Sequence, residues 1–397
     1  MTSVARPANR SVCVIGPSTR FISGITYYTY GLANALATTR PVSVVLLRRL
    51  LPTRLYPGAG RVGRRVSSIS LRPEVSRFDG VDWYWVPSLA RALAFLVRRR
   101  PRILVLQWWT ATALHTYLVL AAVARRLGAD VVIEFHEVLD TGEDRLGPVR
   151  IYAGLLAPRL FRGAAGSICH SEFERQAVAR RFGLDPESIA VVPHAASGPY
   201  QPGTPIRPAP DGVLNILCFG IIRPFKGVED LIQAFDGLPE EESARYWLTI
   251  VGETWEGWDL PARLVAQSRY RDRITFVNRY VRDDEADGYF RGADVVALPY
   301  RRSSQSGPLH LALGYGLPVV VTGVGGLVES VEGYEGAVLV PPRDPAALRD
   351  GLRHAGGLAG RRFGHDREWL EVAPRYAEAL DSITGRYGRR DRAGQLV

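Results

Sequence analysis

Twelve short apolar runs, most of them separated by helical stretches, restrict the fold of this chain more than any other feature. They fall at residues 12–15, 42–47, 103–106, 131–135, 166–169 and 189–192, and again at 214–219, 247–251, 274–277, 295–298, 319–322 and 337–340. Runs that are apolar throughout belong to strands buried on both faces, and intervening helices supply the crossovers that parallel strands need. The two halves open alike. Val14-Ile15-Gly16 leads through a polar loop to Gly24 and a helix over 25–36; Cys218-Phe219-Gly220 leads through a polar loop to Gly227 and a helix over 228–235. A strand, a glycine-bounded loop and a helix begin a doubly wound domain. At 397 residues the chain is long for one core and comfortable for two. The expectation is an α/β protein of two Rossmann-like domains, 1–198 and 213–365, with a Pro- and Gly-rich linker at 199–212. A closing amphipathic helix is assigned to 366–385 and a frayed tail to 386–397.

The most informative stretch is 298–329. A strand ends at Pro299, a loop of small polar residues follows (Ser303, Ser304, Ser306, Gly307), and a helix opens near 307–309. Amides at a helix start lack intrahelical acceptors, and the helix dipole adds positive potential, so Ser306, Gly307, Pro308 and Leu309 mark a place for a phosphate. An ordinary strand-to-helix turn would carry the same residues, so spacing alone leaves both readings open. The second signal is Lys226, the one lysine beside 49 arginines, in Gly220-Ile221-Ile222-Arg223-Pro224-Phe225-Lys226-Gly227. An ammonium is a compact charge that can sit against a phosphate where a planar guanidinium does not fit. Chance survival of one lysine is the plain alternative.

These motifs resemble the family-4 retaining glycosyltransferases of GT-B fold. Residues 220–227 are similar to that family's Gly-Arg-x-x-x-x-Lys-Gly loop, in which the Arg and Lys hold the diphosphate of the sugar donor. Lys226 falls on the family lysine; the arginine's place holds Ile221, and Arg223 lies two residues on. Gly316-Leu317-Pro318-Val319 matches the family's Gly-x-Pro-Val step. The two family glutamates ahead of that step fall on Ser303 and Leu311, so neither acid is present. The segment fits better a sub-branch written roughly Pro-Tyr-x-x-small-x-Gln-Ser-Gly.

The resemblance covers nearly the whole chain and implies two Rossmann-like domains facing across a cleft, with the last helix crossing back to the first domain. It implies retaining transfer of a sugar from a nucleoside-diphosphate sugar to the hydroxyl of a small-molecule, glycan or lipid-linked acceptor. Catalytic roles would go to Lys226, Arg223 and His136. The last stands in Glu134-Phe135-His136-Glu137 at a strand end, where doubly wound domains place ligands; a histidine fixed by its neighbours is the other reading. Donor binding would involve Gly24 and Gly220 at the diphosphate, and Gly252, Asn278 and Tyr280 at the base. Glu329 would touch a ligand or cap a helix. His170 and Ser171 resemble a later, structural motif. No Asp-x-Asp pair occurs, and Asp283-Asp284-Glu285 reads as an acidic helix start, so no metal is expected, nor any cofactor besides the donor. Because both acids are missing, a sugar-nucleotide-binding protein without catalysis stays open, as does a nucleotide-sugar 2-epimerase of the same fold.

The net charge of +10 is uneven: residues 1–200 hold 26 arginines against 13 acids, and the remainder is slightly negative. A basic first half suits an anionic acceptor or an anionic membrane surface. Arg91, Arg98, Arg99, Arg100 and Arg102 flank Leu93, Phe95, Leu96 and Val97, giving either a surface-binding helix or a solvated basic face. No nucleic-acid motif accompanies the charge, and nucleic acid is not an expected partner. Residues 103–124 are long and uncharged enough for a membrane span, yet they contain Gln107 and divide into a strand and a helix, so burial within a domain is expected. Cys13, Cys169 and Cys218 sit in apolar runs without pairing or metal spacing, as in a reducing compartment. Residues 1–10 are polar and read as no signal peptide. The expected location is cytoplasmic, at most peripheral to the inner face of the membrane.

Overall fold

A computed structural model describes residues 10–20, 24–50, 69–82, 84–137, 147–196, 203–254 and 257–394. The chain divides into two compact units, Met1–Pro193 with Trp369–Val397, and His194–Glu368.

In the first unit β1 (Val12–Pro17) lies between β2 (Val42–Leu47) and β4 (Ile103–Trp108). Outside β2 is β3 (Ser76–Val81); outside β4 follow β5 (Asp130–Phe135), β6 (Gly166–Cys169) and β7 (Ile189–Val191). Every pairing is parallel. Six strands coincide with apolar runs, because helices cover both faces of the sheet. The seventh, β3, was not expected. Its Ser-Arg-Phe-Asp-Gly-Val is an edge strand whose first four residues are not buried, so it carries no continuous apolar signal. The uncharged stretch 103–124 becomes β4, a short 3-10 turn (Ala111–Ala113) and the start of the helix Leu114–Arg126, with Leu114, Tyr117, Leu120 and Ala121 in the core. Among the described residues no helix is long and apolar enough to cross a membrane.

The helix Trp369–Gly394 belongs to this first unit. Arg40 donates two hydrogen bonds of 3.3 Å to Asp381 on it. The helix runs past 385, so the end read as frayed is helical as far as Gly394. The boundary between units falls at Pro193/His194, ahead of the linker placed at 199–212, of which 199–202 lie outside the described residues.

The second unit repeats the plan with six parallel strands. Its central β8 (Leu214–Phe219) lies between β9 (Tyr246–Val251) and β11 (Val295–Leu298). Outside β9 is β10 (Ile274–Val277); outside β11 are β12 (Val319–Thr322) and β13 (Ala337–Val340). Strand order reverses between β8 and β11, as it does between β1 and β4 in the first unit. At such a switch point the loops leaving the two strands part, and a ligand can enter at their carboxyl ends. The loops at 220–227 and 299–306 are those two.

Candidate active site

Beyond β8 the chain turns at once. Gly220 has φ 117° and Gly252, just past β9, has φ 153°; a Cβ on Gly252 would lie 1.9 Å from the Gly220 carbonyl oxygen. With no side chains there, the two loops stay side by side beyond the sheet, and the Ile222 amide donates to Glu253 O at 2.9 Å. A 3-10 turn, Pro224–Lys226, follows and closes at Gly227, φ 63°, where a Cβ would meet Pro299 O at 2.0 Å. The sequence forms this loop because glycine alone tolerates these angles and approaches.

The loop after β11 is tied to it. The Arg301 amide donates to Phe225 O (2.8 Å), and its guanidinium donates to Glu229 (2.5 Å) and Asp230 (2.7 and 3.0 Å). Arg301 is thus engaged as a clamp. The ammonium of half-buried Lys226 stands 3.6 Å from the centre of the Tyr300 ring. Ser306 caps the helix Gly307–Gly314: its hydroxyl accepts from the Leu309 amide (3.3 Å) and donates to the Tyr300 hydroxyl (3.2 Å). Pro308 lies against Gly220, 3.1 Å from where a Cβ would stand.

Gly220, Lys226, Gly252, Ser306, Gly307, Pro308 and Leu309 therefore converge at the carboxyl ends of β8 and β11. One expectation is corrected. Pro308 has no N–H and the Leu309 amide is used by Ser306, so of these four residues only Ser306 and Gly307 have amides that the cap does not take up. Arg223 begins the 3-10 turn, half-buried, 5.9 Å from the Phe225 ring. Asn278 and Tyr280 follow β10, two strands out from β8 at the switch point. Asn278 accepts from the Thr254 amide (2.9 Å) and hydroxyl (3.1 Å), and the Tyr280 carbonyl accepts from Arg279 (3.3 Å). Glu329 sits on the short helix Leu327–Ser330 after β12, where its carbonyl accepts from Arg367 (2.5 Å). The nearby Cys218 thiol is pushed up to about 12 by burial, against the opposing charge of Lys226, and is no nucleophile.

Sequence reasoning missed part of this loop. Gln305 Oε1 accepts from the Ser330 hydroxyl (3.2 Å) and lies 3.0 Å from His310 Nε2; the His310 ring stacks on His194 at 4.1 Å. Gln305 was visible as the Gln of Gln-Ser-Gly. The histidine pair offered no local signal.

In the first unit the chemistry gathers around Glu134, which is fully buried on β5. The Gln107 amide on β4 donates to it (3.0 Å), and Gln107 accepts from the Thr29 hydroxyl (2.5 Å). His136 Nε2 is 3.5 Å from one carboxylate oxygen and His170 Nε2 is 3.8 Å from the other. Burial by itself raises the Glu134 carboxyl, but His136 by charge and hydrogen bond, with His170 and Gln107, brings it below its usual value. His170 is pushed down to about 4 by burial and then by the charge of His136. Tyr28 and Tyr376 have hydroxyls raised far above normal, by burial and then by Glu134. The cluster holds the Glu134 carboxylate between two histidine rings and beside two neutral phenols. His136 is only 5% exposed, so its imidazole belongs to this buried network. One signal was available: Gln107 is a lone amide in an otherwise apolar central strand, and such a group must find a buried partner.

Glu134, His136 and His170 each offer one atom, all within 4.8 Å, and are the group among the described residues that could ligate a metal. Two bonds of about 2.1 Å span at most about 4.2 Å, so an ion would have to draw the widest pair inward. His170 and Ser171 are structural: Ser171 caps the helix Glu172–Phe182, accepting from the Glu174 amide (3.1 Å), and Glu174 accepts from the His170 amide (2.8 Å). Gly24 precedes the helix Ile25–Leu36 with ordinary φ −58°, and nothing lies within 4 Å of a Cβ there, so the chain itself does not require a glycine. Asp140 and Glu143, which follow Glu137 in the sequence, lie outside the described residues.

Comparison with known proteins agrees with both units. Residues 214–355 match the family described as glycosyl transferases group 1, and residues 23–195 match the glycosyl transferase 4-like domain. The chain belongs to the family-4-like glycosyltransferases of GT-B fold. It is similar to the D-inositol 3-phosphate glycosyltransferase of Xylanimonas cellulosilytica, 27% identical over 396 residues, covering 91% of this chain and 93% of that one. The O-antigen chain mannosyltransferase B of Escherichia coli is 28% identical over 189 residues, 45% and 48% of the two chains. Among solved structures, sucrose-phosphate synthase of Thermosynechococcus elongatus superposes with TM-score 0.61 at 16% identity, covering 98% and 99%. Anabaena HepE in complex with UDP-glucose gives 0.59 at 18%, covering 94% and 99%. At these identities the structures speak for the fold.

Proposed function

We propose that the protein is a retaining, metal-independent hexosyltransferase that uses a nucleoside-diphosphate sugar. The observation that carries this reading is the convergence of Lys226 with the Ser306-capped helix start at the β8/β11 switch point. Breaking the anomeric C–O bond puts negative charge on the departing diphosphate, and cations and amides already in place stabilise that charge. Lys226 and Arg223 supply the cations, and the Ser306 and Gly307 amides complete the cradle. Gly252, Asn278, Tyr280 and Glu329 bind the nucleoside. The acceptor oxygen bonds to the anomeric carbon on the face the diphosphate leaves, and the hydroxyl proton passes to the leaving phosphate oxygen.

Two features inform the substrates. HepE is described with UDP-glucose, so UDP-hexoses are the first donors to try. The arginine-rich first half and a relative named for an inositol phosphate favour an anionic acceptor. The location that fits is cytoplasmic, with peripheral contact to an anionic membrane face.

The test is a screen of UDP-, GDP- and dTDP-hexoses for transfer and hydrolysis, with NMR of the product anomer and with EDTA present. Turnover with retention, unaffected by EDTA, is expected; inversion, or nucleotide binding with no turnover on any donor, overturns the proposal. Calorimetry adds a binding criterion. Nucleoside diphosphate should bind about 2–4 kcal/mol more tightly than nucleoside, the scale of one or two charge-assisted hydrogen bonds.

A further inference from the structure

We infer that Tyr300 is a positioning residue that aims Lys226 and the Gly307–Gly314 helix start at the same diphosphate; the inference rests on the donor-site reading above. Tyr300 is the residue both elements touch. Its ring carries the Lys226 ammonium at 3.6 Å, and its hydroxyl accepts from Ser306, whose oxygen in turn caps the helix. The ring is buried. Tyr300 is 1% exposed, and its carbonyl accepts from the Thr322 hydroxyl at 2.5 Å, anchoring it to β12.

A phenol suits this position for a physical reason. The face of an aromatic ring attracts an ammonium without neutralising it, whereas a carboxylate would cancel the charge that the diphosphate needs. Burial raises the Tyr300 hydroxyl well above its usual value, so it stays protonated and neutral beside the lysine. The nearby carboxylates of Glu229 and Asp230 are bonded to Arg301. Lysine also has a long, flexible stem, and resting it on a fixed ring removes part of the ordering cost of ligand binding.

The experiment compares Tyr300→Leu, Tyr300→Phe and Lys226→Ala, singly and as Tyr300→Leu with Lys226→Ala, by calorimetry with nucleoside diphosphate and with nucleoside. Tyr300→Leu should weaken the diphosphate about 10-fold, the scale of one partly desolvated cation–π contact, and the nucleoside less than about 2-fold. Tyr300→Phe keeps the ring and should stay within about 3-fold of wild type for both ligands. In the Lys226→Ala background, Tyr300→Leu should cost the diphosphate less than about 2-fold, because coupled residues are not additive. Equal weakening of nucleoside and diphosphate, or full additivity, overturns the inference. Ring-fluorinated phenylalanines at 300 provide an isosteric series should Tyr300→Leu not fold. Diphosphate affinity should fall stepwise with fluorination, and a flat series refutes the role. If Lys226→Ala alone leaves diphosphate affinity unchanged, the donor-site reading fails; if it weakens binding while the Tyr300 variants do not, only the present inference fails.

Discussion

Gly252→Ala puts the geometry of the donor loops to a direct test. The native φ of 153° is one that a residue with a side chain rarely adopts, a strain of about 1–3 kcal/mol. The new Cβ would also stand 1.9 Å from Gly220 O and 2.7 Å from its carbonyl carbon, where ordinary contact begins near 3.4 Å. The two loops must part by roughly 1–1.5 Å, and such overpacking costs about 1–3 kcal/mol more. The Ile222–Glu253 hydrogen bond lies directly beyond the clash and would be lost or stretched. Together these place the loss at about 2–6 kcal/mol. Gly220 begins the loop that carries Lys226, and a displacement of about 1 Å at a catalytic group lowers kcat/KM on the order of 100-fold. Urea unfolding and steady-state kinetics on the same preparation read both effects. A variant with wild-type midpoint and turnover would show that this glycine pair does not set the register of the loops.

Three further outcomes are expected. Gly307 has nothing within 4 Å of a Cβ and no positive φ, so Gly307→Ala should cost no stability but should weaken nucleoside diphosphate; unchanged affinity would show that no ligand approaches that backbone. His170 has a folded value of about 4 against an ordinary 6.5, so its neutral form is favoured in the native state and protons bind preferentially to the unfolded chain. Its contribution is present above pH 6.5 and is lost as pH falls toward 4, about 2 kcal/mol of it between pH 7 and 5; a wild-type stability flat over that range, or one unchanged in slope by His170→Asn, would contradict this. Glu134, depressed in the folded state, acts with the same sign at lower pH. For the basic helix Val86–Arg99, which ends in Arg98 and Arg99 with Val97 42% exposed, liposome binding should rise with anionic lipid and fall with salt. Binding equally weak to neutral and anionic vesicles would leave those arginines as a solvated face.

Most of the fold was legible because burial on both faces forces apolar continuity: every expected run, from residues 12–15 to 337–340, coincides with a strand to within a residue or two. The edge strand β3 escaped for the complementary reason. The donor loops were legible where backbone chemistry dictates residue type, at Gly220, Gly227, Gly252 and Ser306. What could not be read is what distant segments bring together. Lys226 meets Tyr300 only because β8 and β11 are neighbours at the switch point. The Glu134 cluster likewise draws Thr29, Gln107 and His170 from three different loops and elements, and Tyr376 from the last helix. Periodicity reports which face a residue occupies, not its partner across the sheet.

The two positions that lack acids show how this loop is organised without them. Leu311 is 6% exposed and packs in the core of the second unit. A carboxylate there would be buried and would need its own partners. The Ser303 hydroxyl is spent within the loop, donating to Gln305 O at 2.8 Å. Neither position presents a charge. Between them the loop fixes Gln305, held by Ser330 and His310. An amide so held can orient a hydroxyl by hydrogen bonding, but it adds no negative charge beside a diphosphate. With both acids gone, the positive potential of Lys226 at this site is opposed by fewer carboxylates, and donor affinity should lean on the diphosphate more than on the ribose.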